Sequence, residues 1–524
     1  NTLIHHGHYN NNDNSSFNEN SKKPVKYTRK NLLRFFRFNS RDKKTSLQRL
    51  YIAEEDLVLG IQGLAQNKFK LIIFYILSIL TLGILPVICH WFPKMKISLM
   101  YNKSELFCSD KVIIETELGQ LDIISVKREW YDNKDISTVF NYRDDADYGL
   151  KVLTFFSYRF FKLYYDPLED LFKVNTNWFD NDNWLVYNNV QQGLNNNNII
   201  EDRLLIFGKN SCDLDIKPIH QLIFEEALHP FFVFQIFSMI LWAYDDYLYY
   251  ALCILIISVF SVAQTVYETR QSALKLQKLA HSETNVRVFR NGFWLTVASE
   301  EVVPGDILDI SDPNLNTVPC DCLLLNGQVL VNESMLSGES IPVNKKSCNS
   351  DSLLESFFNN DLSKESKYKL YNGTEIINTK PTESNPQVTA LCLSTGFNTT
   401  KGSLIRSMVF PSTSTGNSGE KDMTKQAYKY IFYMTLLALF GFIFSAINFK
   451  RLHLSTKLII VRALDIVTIV VPPGLPATLS VAVTFSISRL KNKCNIFCIR
   501  PTKINGAGGV SVWVFDKTGT LTGE

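Results

Sequence analysis

Ten cysteines are spread along the chain without a single Cys-x-x-Cys pair. Cys320 and Cys322 stand as Cys-Asp-Cys, and no second ligand pair or histidine follows at zinc-like spacing. A structural zinc module is therefore excluded, and free thiols facing a reducing cytosol are expected. Net charge is also scarce: 54 basic against 51 acidic residues leave +3, which provides no electrostatic basis for a nucleic-acid partner. No charged-then-apolar leader heads the chain, which begins at Asn1 rather than methionine, so both ends read as cut points. Internal repeats are absent as well. What the chain has in quantity is apolar residues, 46% against 20% charged over 524 residues. That is too long for one core, and the balance suits a membrane protein with sizeable aqueous parts.

Residues 1–48 are polar, Asn-rich and basic, and read as a disordered cytosolic tail. Residues 49–220 form an N-terminal cytosolic region interrupted by an apolar membrane segment, 71–92. Its uncharged stretch Leu71–Cys89 is long enough to span, but Gly83 and Pro86 interrupt it. Lys68, Lys70, Lys94 and Lys96 flank both sides, so the positive-inside rule assigns no orientation. Spanning and re-entrant readings both stand. Asn195–Asn198 is a low-complexity insert and is assigned to a loop.

Residues 229–267 read as a transmembrane hairpin, Phe231–Tyr244 and Tyr247–Val266, turned at Asp245-Asp246. Arg270, Lys275 and Lys278 place its far end in the cytosol and its acidic tip in the lumen or exterior. From 282 to 406 the pattern changes to short β-branched strands and turns, with an acidic, Ser-rich insert at Ser347–Ser366. A small all-β domain is expected there. A second transmembrane hairpin occupies 428–490, as Tyr430–Phe449 and Leu458–Leu490, with basic residues outside both ends. Residues 494–524 begin a further domain.

Three constellations carry chemistry. The string D-K-T-G-T-L-T runs from Asp516 to Thr522, behind the apolar run Val510–Phe515, which predicts a buried parallel strand. A carboxylate at the end of such a strand is placed to attack a γ-phosphorus. Lys517 and the hydroxyl of Thr518 offset the transferring charge, and Mg²⁺ on Asp516 and Thr518 neutralises the rest. The string S-G-E-S, Ser337–Ser340, lies within V-N-E-S-M-L-S-G-E-S-I-P-V. Gly338 permits a tight turn, and Glu339 at its tip is placed to accept a proton from an attacking water. Alone, such a string is more often a solvated turn. Third, Val471-Pro472-Pro473-Gly474-Leu475-Pro476 cannot continue a regular helix, because three prolines remove donors and clash with the preceding turn. Breaks at membrane depth survive where freed carbonyls find partners or line a cavity, and transporters place substrate there. The plainer reading is a packing kink. Asp465, two turns earlier, is an ionisable group inside a membrane segment, with Arg462 at i−3 as its ordinary partner.

D-K-T-G-T-L-T resembles the phosphorylation motif of P-type ATPases. Val303-Pro304-Gly305-Asp306, Val318-Pro319-Cys320-Asp321, Tyr371-Asn372-Gly373-Thr374 and T-G-F-N-T-T-K-G (Thr395–Gly402) accompany S-G-E-S, and together they resemble that family's actuator domain. The resemblance implies a multidomain membrane protein: an α-helical transmembrane bundle, a small all-β actuator domain and the first strand of an α/β, HAD-like phosphorylation domain. It also implies that Glu339 directs hydrolysis of an aspartyl phosphate on Asp516, with ATP as substrate and Mg²⁺ as cofactor. P-P-G-L-P, with Pro473 where calcium and sodium pumps carry a Glu, is similar to the type V subfamily.

L-D-I-V-T-I-V-V-P-P-G-L-P (Leu464–Pro476), I-F-C-I-R-P (Ile496–Pro501) and His229–Trp242 resemble its subgroup B. That subgroup exports polyamines from late endosomal and lysosomal lumens. A multi-pass endomembrane protein with a cytosolic N-terminus, bound to lipid, is implied, with Pro472–Pro476 and Asp465 meeting an organic, polyamine-like cation. The alternatives are a subgroup A helix extractor of the endoplasmic reticulum, a pump for inorganic cations, a soluble phosphatase of the same superfamily and a non-catalytic scaffold. The chain reads as an N-terminal portion that ends just after the phosphorylation motif, too short to hydrolyse ATP by itself.

Overall fold

A computed structural model of the chain describes residues 47–522, except 53–56, 117–118, 136–148, 175–185, 215, 245–246, 281–283, 359–365, 384, 411–422, 453–454, 471–474, 499–503 and 509. Residues 1–46 of the proposed tail, Asp245-Asp246 and Pro472–Gly474 lie outside the described residues, whereas Leu47 and Gln48, expected as the end of that tail, belong to the strand Leu47–Ile52, where backbone pairing to the next strand holds them. The chain divides into two units: residues 1–212, 280–416 and 516–524, and residues 213–279 and 417–515.

The first unit begins with two antiparallel sheets. Leu47–Ile52, Leu57–Gln66, Lys111–Thr116 and Leu121–Ser125 pair in that order, with Tyr101–Lys103 added to the second strand. Lys127–Asp135, Gly149–Tyr158, Phe161–Asp166 and Leu171–Val174 form the other sheet as a simple meander. Leu50, Leu59, Ile61 and Val112 of the first share one buried cluster with Phe156, Phe161, Leu163 and Phe172 of the second. The sheets are thus the two faces of a sandwich, held by alternate inward side chains.

The meander turns at Arg159 and Phe160, both at positive φ (48° and 67°). No glycine or asparagine marks that turn. Phe160 stacks on Phe397 at 4.0 Å and 3°, contact that offsets the backbone strain.

The apolar segment 71–92 is two helices, Lys68–Leu80 and Ile84–Trp91, bent by 118°. Asn67 caps the first, its Oδ1 accepting from the Phe69 amide at 3.0 Å. Gly83 ends it at φ +84°, with its N–H returning to Ser78 O. The strands on either side of this excursion pair directly, Gln66 opposite Tyr101. The helices therefore leave and rejoin one sheet at neighbouring positions.

The region 282–406 carries a six-stranded sheet and a three-stranded sheet. Val286, Val288, Leu308, Cys322, Leu324, Val329, Val331 and Cys392 are among its buried core. Cys322 and Cys392 face each other across two strands, and Cys320 lies 3.4 Å from Cys322, sulfur to sulfur. Burial disfavours each of these thiolates, while hydrogen bonds from Cys322 and Cys392 make Cys320 the most acidic of the three. Helices interrupt the β pattern at Asp351–Phe358 and Thr400–Val409.

One further expectation needs correction in this unit and two in the next. Asn195–Asn198 is not simply loop: Asn196 caps the helix Asn197–Phe207, its side chain accepting from the Asn198 amide, the use for which asparagine is suited. In the second unit the helix Leu248–Ala280 runs well past Val266, because Ala273 to Lys278 are good helix formers and Gln264 bonds Glu268 one turn on. Val510–Phe515, expected as a buried strand, is exposed throughout and pairs with no strand among the described residues. A parallel strand is held by neighbours on both sides, and among the described residues this run has none.

The second unit is helical: Ile219–Ala227, Pro230–Tyr244, Leu248–Ala280, Met423–Arg451, Thr456–Val470 and Leu475–Cys494. Among the described residues, Leu248–Gln277 and Phe432–Arg451 are long and apolar enough to cross a membrane. The number rises to four if each of two bent helix pairs is one span. Trp242 Nε1 donates to Thr468 Oγ1 at 3.1 Å, tying Pro230–Tyr244 to Thr456–Val470.

Candidate active site

The loop bearing Glu339 joins two antiparallel strands, Gln328–Asn332 and Val343–Lys346. It starts with one turn of helix, Ser334–Ser337, which Gly338 ends at φ +71°, a conformation only glycine adopts without strain. Ser337 Oγ donates to Glu333 O at 3.0 Å and accepts from the Glu339 amide at 3.1 Å. The hydroxyl thus fixes the turn, and any hydroxyl residue at this position supplies the same pair of bonds. Glu339 itself is exposed at the tip.

Asp516 leads into a single wide turn, Lys517–Leu521. Its Oδ1 accepts from the Lys517 amide at 2.8 Å, and the side chain is otherwise exposed. A β-carbon placed on Gly338 would stand 3.2 Å from Asp516 Oδ2. The S-G-E-S turn and the D-K-T-G-T carboxylate therefore touch, across a sequence separation of 178 (516 − 338). Lys517 and Thr518 follow on the same turn.

Among the described residues no three His, Cys, Asp or Glu side chains are grouped to hold a metal. A single exposed carboxylate fits Mg²⁺ nonetheless, since that ion is commonly held by one or two carboxylates together with water and substrate phosphates.

The accompanying strings brace the domain. Arg290 grips Asp306 through two bonds of 2.8 and 2.6 Å, and Asp306 Oδ2 also accepts from the Val303 amide. Arg203 donates to Pro304 O from a half-buried position, and desolvation pulls its pKa down to about 10, with Asp306 opposing the shift. Asp321 accepts from the Asn372 amide at 2.9 Å and from the Thr400 amide and hydroxyl at 2.9 and 2.8 Å. One carboxylate thus ties P-C-D to Y-N-G-T and T-T-K-G.

Sequence reasoning passed over Lys345, which is 1% exposed and lies 2.6 Å from Glu333 Oε1. The available signal was its place two residues after Val343 on an alternating strand, where an inward side chain is due.

In the membrane unit, Asp465 is buried and lies 3.6 Å from Arg462, the local i, i+3 partner. Thr468 Oγ1 donates to Asp465 O at 2.9 Å. Leu475 and Pro476 open the helix Leu475–Cys494.

Comparison with known proteins follows this division. Residues 55–166 match the family model of the P5-type ATPase cation transporter, and residues 280–409 that of the P-type ATPase actuator domain. The vacuolar cation-transporting ATPase YPK9 of Saccharomyces cerevisiae is 44% identical over 498 residues, covering 91% of this chain and 33% of that protein. The cation-transporting ATPase catp-5 of Caenorhabditis elegans is 35% identical, over 92% of this chain and 39% of its own length. The polyamine-transporting ATPase 13A3 of Homo sapiens is 37% identical over 326 residues, 61% of this chain and 26% of that protein. The chain spans about a third of the length of the first two relatives. The sandwich and the actuator domain coincide with the two family-model matches, and the chain belongs to the P5-type ATPase family.

Proposed function

We propose that the protein is an ATP-driven membrane transporter that cycles through an acyl phosphate on Asp516 and moves polyamines or other organic cations from an endosomal or lysosomal lumen to the cytosol. The observation that carries this reading is the approach of Asp516 Oδ2 to Gly338. The proposed nucleophile and the turn proposed to direct hydrolysis stand together, and a side chain at residue 338 would crowd the Asp516 carboxylate.

In the first step an oxygen of Asp516 attacks the γ-phosphorus of ATP, the bond to the bridging oxygen breaks and ADP leaves. Lys517 and Thr518 donate to the transferring group. Mg²⁺, held by Asp516 and Thr518, would neutralise phosphate charge. In the second step water attacks the aspartyl phosphate, Glu339 accepts its proton, and inorganic phosphate leaves with Asp516 restored. The actuator domain is linked to Leu248–Ala280 on one side and Met423–Arg451 on the other. Its rotation pulls on both helices and alternates access to the Pro472–Pro476 break. Residues 510–515 become the first strand of the phosphorylation domain once neighbouring strands cover them.

The cargo assignment is supported by Pro473 in place of a carboxylate, by buried Asp465 and by the polyamine-transporting relative. The vacuolar relative supports an endomembrane location. The helices between Lys68 and Trp91 dip into the cytosolic leaflet and return, a reading supported by the 118° bend and the Gln66–Tyr101 pairing. The test is ATP hydrolysis by the full-length protein in lipid, with spermine or spermidine added. Stimulation that vanishes in Asp516→Asn establishes the pump with polyamine as cargo. Phosphorylation without any polyamine response removes that cargo and turns attention to helix extraction.

A further inference from the structure

Lys345 occupies a place that the strand pattern reserves for an apolar side chain. It pairs across the sheet with Val329, so it shares the inward face on which Val329 and Val331 are fully buried. Its Nζ lies 2.6 Å from Glu333 Oε1, donates to Ser366 O at 2.7 Å and sits over the Tyr371 ring at 5.1 Å. A desolvated ammonium persists only when such partners are held in place.

The two members of the pair stand at opposite ends of the reactive loop. Glu333 immediately precedes the turn Ser334–Ser337, and its carbonyl accepts the Ser337 hydroxyl that also positions the Glu339 amide. Lys345 lies on the strand by which the loop returns. The link continues inward: Lys369 stacks on the same Tyr371 ring at 5.5 Å and lies 3.7 Å from Asp321, the carboxylate that braces Asn372 and Thr400.

We propose that Glu333 and Lys345 form a clamp across the base of this loop that sets the orientation of Glu339, and with it the rate of phosphoenzyme hydrolysis. They are positioning residues, since neither touches Asp516. The inference rests on the proposed function and deepens it. It predicts a split that general destabilisation does not produce: phosphorylation of Asp516 proceeds, because it does not use Glu339, while dephosphorylation slows.

The experiment forms phosphoenzyme on the full-length protein in membranes with radiolabelled ATP and chases it with unlabelled ATP. Glu333→Gln, Lys345→Met and the double variant are compared with wild type. Each single variant should reach at least about half the wild-type phosphoenzyme level while its decay slows about tenfold, less than the roughly 10²-fold that a 1 Å misplacement of a reacting group can cost. The double variant should decay no more slowly than the worse single, as for two residues acting as one unit. Decay at the wild-type rate in either single variant overturns the clamp. So do parallel losses of formation and decay, which mark a purely structural pair, and multiplying effects in the double variant. A wild type that forms no phosphoenzyme removes the functional reading instead, a result separate from any difference among variants.

Discussion

The loop that carries Glu339 leaves one strand with fully buried inward side chains and returns on another, with a serine hydroxyl at its turn and a buried ion pair at its base. The approach to Asp516, by contrast, exposes every side chain from Val510 to Phe515 and pairs with no strand among the described residues. Both loops hold carboxylates that short strings mark as the proposed reactive groups. The difference separates two properties that a motif fuses: the type of chemistry travels with the residues, but placement is supplied by the sheet beneath them. The Glu339 loop has its sheet. Asp516 takes its position from the contact with Gly338 and from the turn that follows it.

The largest expected effect on this contrast is that of Glu339→Gln. It leaves the loop geometry intact and removes only the proton acceptor, so phosphoenzyme should accumulate and decay roughly 10²-fold more slowly. Unchanged decay in a chase experiment would take Glu339 out of its role. Gly338→Ala comes next. Positive φ costs a non-glycine residue about 1–2 kcal/mol, and the new methyl would crowd Asp516 Oδ2 at 3.2 Å. Both phosphorylation and decay should fall, about tenfold each by that strain. A wild-type rate would separate the two loops altogether.

Ser337→Ala should have a smaller effect, because one modest hydrogen-bond pair of about 1 kcal/mol is lost, while Ser337→Thr should leave decay near wild type. Equal slowing in both would mean that the hydroxyl does not hold the turn. The smallest effect is a check on the neighbouring sandwich as a packed reference. Burial raises the Tyr158 phenol to about 12, against an ordinary value near 10, and its bond to Asp122 adds to the shift. Tyr164 and Tyr165 shift in the same direction. An acid whose folded pKa is raised is ionised first in the unfolded chain, so stability should fall as pH rises from about 10 towards 12. Absorbance titration should show these phenols ionising late; early, uniform ionisation would mean that the sandwich is loose.

Much of this was legible in the residues, for physical reasons that differ from place to place. The actuator strings were readable because glycines at 305, 338 and 373 mark turns at positive φ, and because their carboxylates have obligatory partners. The membrane helices Leu248–Ala280 and Met423–Arg451 were readable from apolar length, although the first continues beyond its apolar part on helix propensity alone. The sandwich was not legible. Its Arg159-Phe160 turn has no turn residue, since the strain is met by stacking on Phe397, 237 positions later (397 − 160), where no local pattern reaches. The helix at Asn197 was hidden by reading asparagine as low complexity rather than as a cap. Lys345 was missed because a lysine is ordinarily assigned to solvent, and only the cross-strand partner reveals that it is inside.

The most direct measurement is phosphorylation of the full-length protein by radiolabelled ATP, followed by acid quench and hydroxylamine treatment, in wild type and Asp516→Asn. Wild type should carry an acid-stable, hydroxylamine-sensitive label, and Asp516→Asn should carry none while inserting into membranes normally. An Asp516→Asn protein that labels as well as wild type would contradict an aspartyl-phosphate cycle on this residue.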